Sequence, residues 1–215
     1  MSKKNLCLLL GALTLAACSP REHFWKKPDI GERQITLNAA LTASPAARNL
    51  WLYDQALEQI DPRLWTLSSL ERLSLRKNKL TAIPADIAAL NRLVWVDLGE
   101  NQLTDLTPAV CKLPVLTQLY LNDNAISNLP PDIASAKKLT YLNLDRNHLA
   151  ALPAEITELP ALKWLRLNGN QLTALPEKMD RLAPTLKRLQ VRGNPLPEAE
   201  KDRIRKALPN CEVVF

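Results

Sequence analysis

Leu119-Tyr120-Leu121-Asn122-Asp123-Asn124-Ala125-Ile126 returns 23 residues later as Leu142-Asn143-Leu144-Asp145-Arg146-Asn147-His148-Leu149, and again as Leu165-Arg166-Leu167-Asn168-Gly169-Asn170-Gln171-Leu172. Moving outward, Leu73-Ser74-Leu75-Arg76-Lys77-Asn78-Lys79-Leu80 keeps the same frame. Asparagines stand at Asn78, Asn101, Asn124, Asn147 and Asn170, each 23 residues after the last, and Asn194 follows after 24. Between them a second block recurs, opening at Ile83-Pro84, Leu129-Pro130, Leu152-Pro153 and Leu175-Pro176 and closing at Ile87, Ile133, Ile156 and Met179. A weaker copy precedes these, through Leu50, Leu52, Leu57 and Ile60, with Gln55 where asparagine is expected. A fixed period of this length is the mark of a stacked repeat architecture.

The leucines of each Leu-x-Leu alternate with period two, so they face a core while their neighbours face the other side. Stacked copies become a parallel sheet. The asparagine stands where the chain turns inward, and its amide can satisfy buried backbone groups of the adjoining turn. The Leu-Pro block lies on the opposite side, where proline fixes the backbone and prevents a long helix. One unit cannot bury its leucines alone, so stability comes from stacking.

Over about residues 48–196 the pattern resembles the leucine-rich-repeat superfamily in its 23-residue form. That resemblance implies an α/β solenoid: a horseshoe with a parallel sheet on the concave side, an irregular or short-helical convex side, terminal caps and about seven repeats, the first degenerate. It also implies a role in protein interaction. Residues 34–48 are expected to form the amino-terminal cap, with no conformation assigned. Pro197–Ala207 reads as a short helix with Ile204, Ala207 and Leu208 on one face, followed by a closing strand through Cys211–Phe215.

Ahead of the repeats, Lys3 and Lys4 precede a 12-residue apolar run, Leu6–Ala17, and Cys18. The run is short of the roughly 20 residues a membrane-spanning helix needs and has the proportions of a secretory signal. Leu15-Ala16-Ala17-Cys18 resembles the lipobox of bacterial lipoproteins. The resemblance implies a leader over residues 1–17, cleavage before Cys18, diacylglyceryl transfer to its sulfur and acylation of its amine. Several acyl chains make a stable anchor where one does not. Ser19, where aspartate would favour the inner membrane, leans toward the outer membrane if the organism has one. Residues 18–33, polar and holding Pro20, Pro28 and Gly31, read as a tether.

Adding or subtracting 23 from Arg72, Ser74 and Arg76 gives three columns on the concave face. The first holds Asn49, Arg72, Trp95, Gln118, Tyr141, Trp164 and Arg188. The second holds Trp51, Ser74, Asp97, Tyr120, Asn143, Arg166 and Gln190; the third, Tyr53, Arg76, Gly99, Asn122, Asp145, Asn168 and Arg192. All three tyrosines and three of the five tryptophans fall here, where alternation with leucine gives them no place in the core. Exposed Trp, Tyr and Arg are the residues enriched in binding hot spots. The expected ligand-contacting set is Trp51, Tyr53, Arg72, Arg76, Trp95, Asp97, Tyr120, Asn122, Tyr141, Asp145, Trp164, Arg166 and Arg188. Mutual packing of the rings is the alternative. Acidic Asp97, Glu100, Asp123 and Asp145 in the middle and Arg166, Arg188 and Arg192 beyond suggest a partner of opposite charge order, or ordinary solvated charge.

Nothing in the chain assembles catalytic or metal chemistry. His23 and His148 have no carboxylate or cysteine at ligand spacing, the five glycines form no phosphate-binding loop, and no cofactor is implied. Cys7 goes with the leader, and Cys111 and Cys211 are too far apart in repeats to bridge; they are expected to stay unpaired within one chain, or Cys111 to pair between chains. The formal charge of +6 includes Lys3 and Lys4, is spread along the sequence, and gives little support for nucleic acid. The expected function is a non-enzymatic protein-binding module anchored in the bacterial envelope. The alternatives are an envelope glycan binder, with Trp95, Tyr120, Tyr141 and Trp164 stacking on sugar rings, and a structural surface protein without a defined ligand.

Overall fold

A computed structural model describes residues 36–43 and 46–215. The expected leader, Cys7, Cys18, His23 and the tether lie outside the described residues. Eight short strands, β1 (Asn49–Trp51), β2 (Arg72–Ser74), β3 (Trp95–Asp97), β4 (Gln118–Tyr120), β5 (Tyr141–Asn143), β6 (Trp164–Arg166), β7 (Arg188–Gln190) and β8 (Glu212–Val214), form one parallel sheet in chain order. Each strand pairs with the next in register, Leu73 opposite Val96, Leu119 opposite Leu142, Leu165 opposite Leu189. The α/β solenoid that the leucine-rich-repeat resemblance implied is therefore the fold observed, and the first two columns are its strand positions, with the third just beyond the strand ends.

Both apolar residues of every Leu-x-Leu are buried, as at Leu73 and Leu75, Leu119 and Leu121, and Leu165 and Leu167. On the far side the chain makes single 3-10 turns at Ala85–Ala89, Pro131–Ser135 and Ala154–Glu158, each entered from a proline whose φ lies between −61 and −70°. That is the ring's own value. One unit winds a short α-helix there instead, α2 (Pro108–Cys111). Burying a leucine side chain stabilises by roughly 1.5–3 kcal/mol, and two leucine columns repeated through the stack make the continuous core.

A side-chain ladder locks the repeats together. Asn124 Nδ2 donates to the carbonyls of Leu98 (3.1 Å) and Leu121 (3.0 Å), while its Oδ1 accepts from Leu103 N–H (3.0 Å). Asn101, Asn147 and Asn170 repeat the set at the same offsets. Each asparagine thus ties its own turn to the preceding repeat. Gln55, with no repeat before it to reach, is exposed, and its N–H is taken by Asn78 Oδ1 at 3.0 Å. The residue just before each of these positions has positive φ: Asp54, Lys77, Glu100, Asp123, Arg146, Gly169 and Gly193. This left-handed turn is found mostly in glycine, and only the last two repeats use one.

At the amino end lies α1 (Leu37–Thr42), capped by Thr36 Oγ1, which accepts from Ala39 N–H. At the other end α3 (Glu198–Ala207) buries Ile204 and precedes β8. One clamp fastens α3 to the last repeat: Glu200 accepts from Leu175 N–H (2.8 Å) and from Arg203, whose guanidinium also donates to the carbonyls of Leu175 (2.7 Å) and Glu177 (3.1 Å).

Asn124→Ala strands three buried backbone groups and is expected to cost roughly 2–4 kcal/mol, seen as a lower urea midpoint; Asn194→Ala, at a partly exposed end, should cost less. The Arg203 guanidinium holds the Glu200 carboxyl below its ordinary value of 4.5. A depressed folded-state pKa means the clamp's electrostatic contribution is complete above that value and is lost as pH falls through the lower folded one. Glu200→Gln should therefore flatten the loss of stability on acidification below about 4.5, measured by chemical denaturation across pH.

Candidate functional site

The strands set the candidate site directly, because residues between the leucines stand on the sheet's outer face. Four rings there make an unbroken run. Trp51 meets Trp95 edge-on with centroids 5.1 Å apart and planes at 68°, Trp95 meets Tyr120 at 5.5 Å and 49°, and Tyr120 meets Tyr141 at 4.8 Å and 42°. The rings alternate between the second and first columns. Ser74, small and buried on β2, lies between Trp51 and Asp97 in the register and leaves the two indoles room to meet.

This is the mutual ring packing that the sequence left open as the alternative to exposed contact residues. Trp51 and Tyr141 are only 7% and 4% exposed, while Trp95, Tyr120 and Trp164 are half-buried. Burial pushes the Tyr120 hydroxyl up to about 12 and that of Tyr141 higher still, so both phenols stay neutral. Tyr120 also donates to Gln118 at 3.2 Å. Tyr53, further toward the amino end, carries the Lys77 ammonium 5.6 Å from its ring centroid. The rings present tilted edges, a ridge in place of a coplanar platform.

Behind the ridge the polar residues are spoken for. Asp97, Asn122 and Asp145, expected to meet a ligand, are buried and serve the sheet. Asp97 accepts from Gly99 N–H at 2.9 Å, and Asp145 accepts from the N–H (2.7 Å) and the amide (2.9 Å) of Asn168. Asn122 accepts from Asn143 and donates to Asp123. Gly99 leaves room here for the Arg76 guanidinium, which would have to shift for a Cβ 2.9 Å away.

The charge order expected along the face is compensated inside the molecule. Arg76 pairs with Glu100 and lies 3.8 Å from Asp97; Arg166 pairs with Asp145 at 2.5 Å, Arg188 with Glu212 at 2.5 Å, and Asp123 with Arg146. The Arg146 guanidinium holds the Asp123 carboxyl below its usual range. Arg72 and Arg192 remain exposed, with Arg72 opposite Trp95 in the register. His148 is exposed, and no group of three or more potential metal ligands exists among the described residues. Sequence reasoning missed the left-handed turn before each asparagine, although Gly169-Asn170 and Gly193-Asn194 carried its signal.

One parallel strand per repeat, a leucine spine and an asparagine ladder define a solenoid repeat protein. The leucine-rich-repeat family model matches residues 91–149, 114–172 and 137–196, and the chain belongs to the leucine-rich-repeat superfamily. A leucine-rich-repeat protein of Leptospira interrogans is 40% identical, with 74% of this chain and 40% of that one covered and a TM-score of 0.72. An internalin of Listeria monocytogenes is 23% identical, with 78% and 46% covered and a TM-score of 0.66, a likeness of fold alone. The ectodomain of a plant membrane receptor kinase of Arabidopsis thaliana, solved in complex with Casparian strip integrity factor 2, is 30% identical, with 63% and 17% covered and a TM-score of 0.57. The chain spans less than half the length of each of these structures. Comparison with curated proteins gave no match.

Cys111 and Cys211 are both free thiols. Cys111 lies wholly inside the core, on α2, and burial pushes its thiol up to about 12; Cys211 is half-buried and pushed up to about 11 by the same cause. Because the thiolate is the reactive form, a link from Cys111 to a second chain would need the repeat to open. With an alkylating reagent at neutral pH and peptide mapping, Cys211 should label slowly and Cys111 only after unfolding. Labelling of Cys111 in the native protein at the rate of a free cysteine would contradict this packing.

Proposed function

We propose that the chain is a non-catalytic, protein-binding leucine-rich-repeat lipoprotein of the bacterial envelope, taking its partner on the concave face. The observation that carries this reading is the unbroken aromatic ridge Trp51–Trp95–Tyr120–Tyr141, bordered by half-buried Trp164 and exposed Arg72. Aromatic side chains fixed by their neighbours offer large contact area at little further entropic cost, which is what interface anchors do. The Arabidopsis receptor ectodomain of the same superfamily was solved with a bound factor, and leucine-rich-repeat proteins are commonly interaction modules. Attachment rests on Cys18 in its lipobox-like setting, with the outer membrane favoured where the organism has one.

A glycan reading is less well supported by the ring geometry. Sugars stack on open, flat faces, whereas these planes are inclined at 42–68° to one another and cover each other's faces. An extended or loop segment of a protein can straddle such a ridge and fill the notches between its rings.

The test places a photoreactive residue at exposed Arg72, beside Trp95, with exposed Lys178 on the other side of the solenoid as control, in intact cells. One polypeptide captured from Arg72, absent from Lys178 and lost on Trp95→Ala is the expected outcome, with unfolding midpoints confirming that the variant is folded. Equal capture from both positions, or capture indifferent to Trp95→Ala, would overturn the concave-face reading. The mass of the peptide that begins at Cys18 reports the anchor separately.

A further inference from the structure

Stacking turns positions scattered along the chain into neighbours, and the basic residues show the consequence. At the edge where the strands begin, the backbone N–H of one repeat bonds to the carbonyl of the equivalent residue before it: Val94 to Glu71, Thr117 to Val94, Thr140 to Thr117, Lys163 to Thr140 and Lys187 to Lys163, all at 2.8–2.9 Å. Lys163 and Lys187 are therefore adjacent. The turns leading into this column carry Arg92, Lys137 and Lys138. All five cations are exposed, and among the described residues none of them enters an ion pair. The nearby carboxylates are engaged elsewhere: Glu71 by Arg48 at 2.9 Å and Glu212 by Arg188 at 2.5 Å.

The opposite edge, where the strands end and the asparagine turns lie, is balanced. Asp54 pairs with Lys77 at 2.8 Å, Glu58 with Lys79 at 3.6 Å, and Asp123 with Arg146. One edge of the solenoid is thus mostly paired, with Arg192 at its carboxyl end an exposed exception, and the other is a strip of uncompensated positive charge.

We propose that this strip, centred on Lys138, Lys163 and Lys187, is an electrostatic docking edge for anionic lipid headgroups. It rests on the reading of Cys18 as a lipid anchor, which would hold the solenoid beside a membrane. Four of the five cations are lysines, compact charges on flexible stems, suited to a mobile plane of headgroups. A built phosphate site would use the planar fork of arginine. The column between them offers Val94, Thr117 and Thr140 and no aromatic ring, so it lacks the stacking platform of single-strand nucleic-acid binders. Docked by this edge, the solenoid stands with its asparagine turns away from the bilayer and its aromatic ridge facing sideways, open to a partner.

The chain from residue 18 onward, free of the basic apolar leader and carrying Cys18→Ser so that it cannot take lipid at that sulfur, is sedimented with vesicles of phosphatidylcholine alone and with vesicles containing phosphatidylglycerol. The expected result is a preference for phosphatidylglycerol that weakens with added salt and falls roughly tenfold or more in Lys138→Gln/Lys163→Gln/Lys187→Gln. A control pair on the balanced edge, Lys77→Gln/Lys79→Gln, should leave it unchanged. These exposed substitutions spare the core, and the urea midpoint verifies folding. Vesicle binding that ignores the triple substitution overturns the proposal, as does equal loss in the control pair. Retention of short duplex DNA without any preference for phosphatidylglycerol would overturn it in favour of nucleic acid. Concave-face capture from Arg72 is read separately, and so is lipid on Cys18, which makes failure of the docking edge distinguishable from failure of the anchor or of the partner site.

Discussion

The carboxamide of one asparagine per repeat is the bond on which the rest of this molecule depends. An amide offers two N–H donors and an accepting carbonyl, and at Asn124 all are used, on backbone groups of its own turn and of the repeat before. Those groups are buried and cannot turn to water, so the alternative to the amide is a set of stranded donors and acceptors. Because each amide also bonds the carbonyl three residues before it, the length from strand to turn cannot drift, whatever the distance back to the preceding repeat. The single 24-residue spacing obeys this: the extra residue enters between buried Leu182 and Leu186, on the outward half, and Asn194 still finds Leu167 and Leu172. The left-handed residue before each asparagine follows from the same demand, since the chain must turn sharply for the amide to face inward. Glu100, Asp123 and Arg146 adopt it without being glycine.

What could be read from the sequence was whatever the period itself dictates. Leu-x-Leu, the asparagine and the Leu-Pro block imply burial, turn and outward segment, and adding 23 yielded columns that the strand register matches residue for residue. What lay hidden depends on contacts between columns. The approach of Trp51 to Trp95 spans two strands and turns on the smallness of Ser74 between them. Nothing in the alternation of Trp95 with leucine says that Tyr120 will lean on it. Likewise Asp97 and Asp145 look like surface carboxylates in a column, yet Asp97 turns onto the N–H two residues on and Asp145 onto the N–H of the equivalent residue in the next repeat. The grouping of charge was hidden for a simpler reason. Basic residues dispersed through the sequence appeared diffuse, but the arithmetic that aligned the aromatics also brings Lys163 and Lys187 side by side.

The sheet face and the two edges divide the physical tasks. On the face, most charges apart from Arg72 and Arg192 are paired in place and buried polar atoms have their partners; no buried side-chain nitrogen or oxygen among the described residues is left without one. An incoming surface there does not have to compete for half-satisfied groups, and it meets rings whose rotamers are already fixed by their neighbours. On the proposed reading such a face would select by shape and apolar contact, with its contribution to binding falling on the rate of departure.

The edge at the strand starts has the converse character. Its cations hold no geometry, have no partner within the solenoid and act over a Debye length, about 8–10 Å at ordinary ionic strength. A field of that kind orients a molecule against a charged plane and says little about the identity of a ligand. Orientation matters for a solenoid in a way it does not for a compact domain, because its faces are long and point in fixed directions. With the strand-start edge turned to a membrane, the sheet's outer face looks along the plane of the bilayer, where a neighbouring envelope protein would be met. Turned the other way, the asparagine edge, mostly paired, would gain less from the headgroups. The asymmetry between the two edges therefore supplies a direction that the repeats, nearly alike from one end to the other, do not supply by themselves.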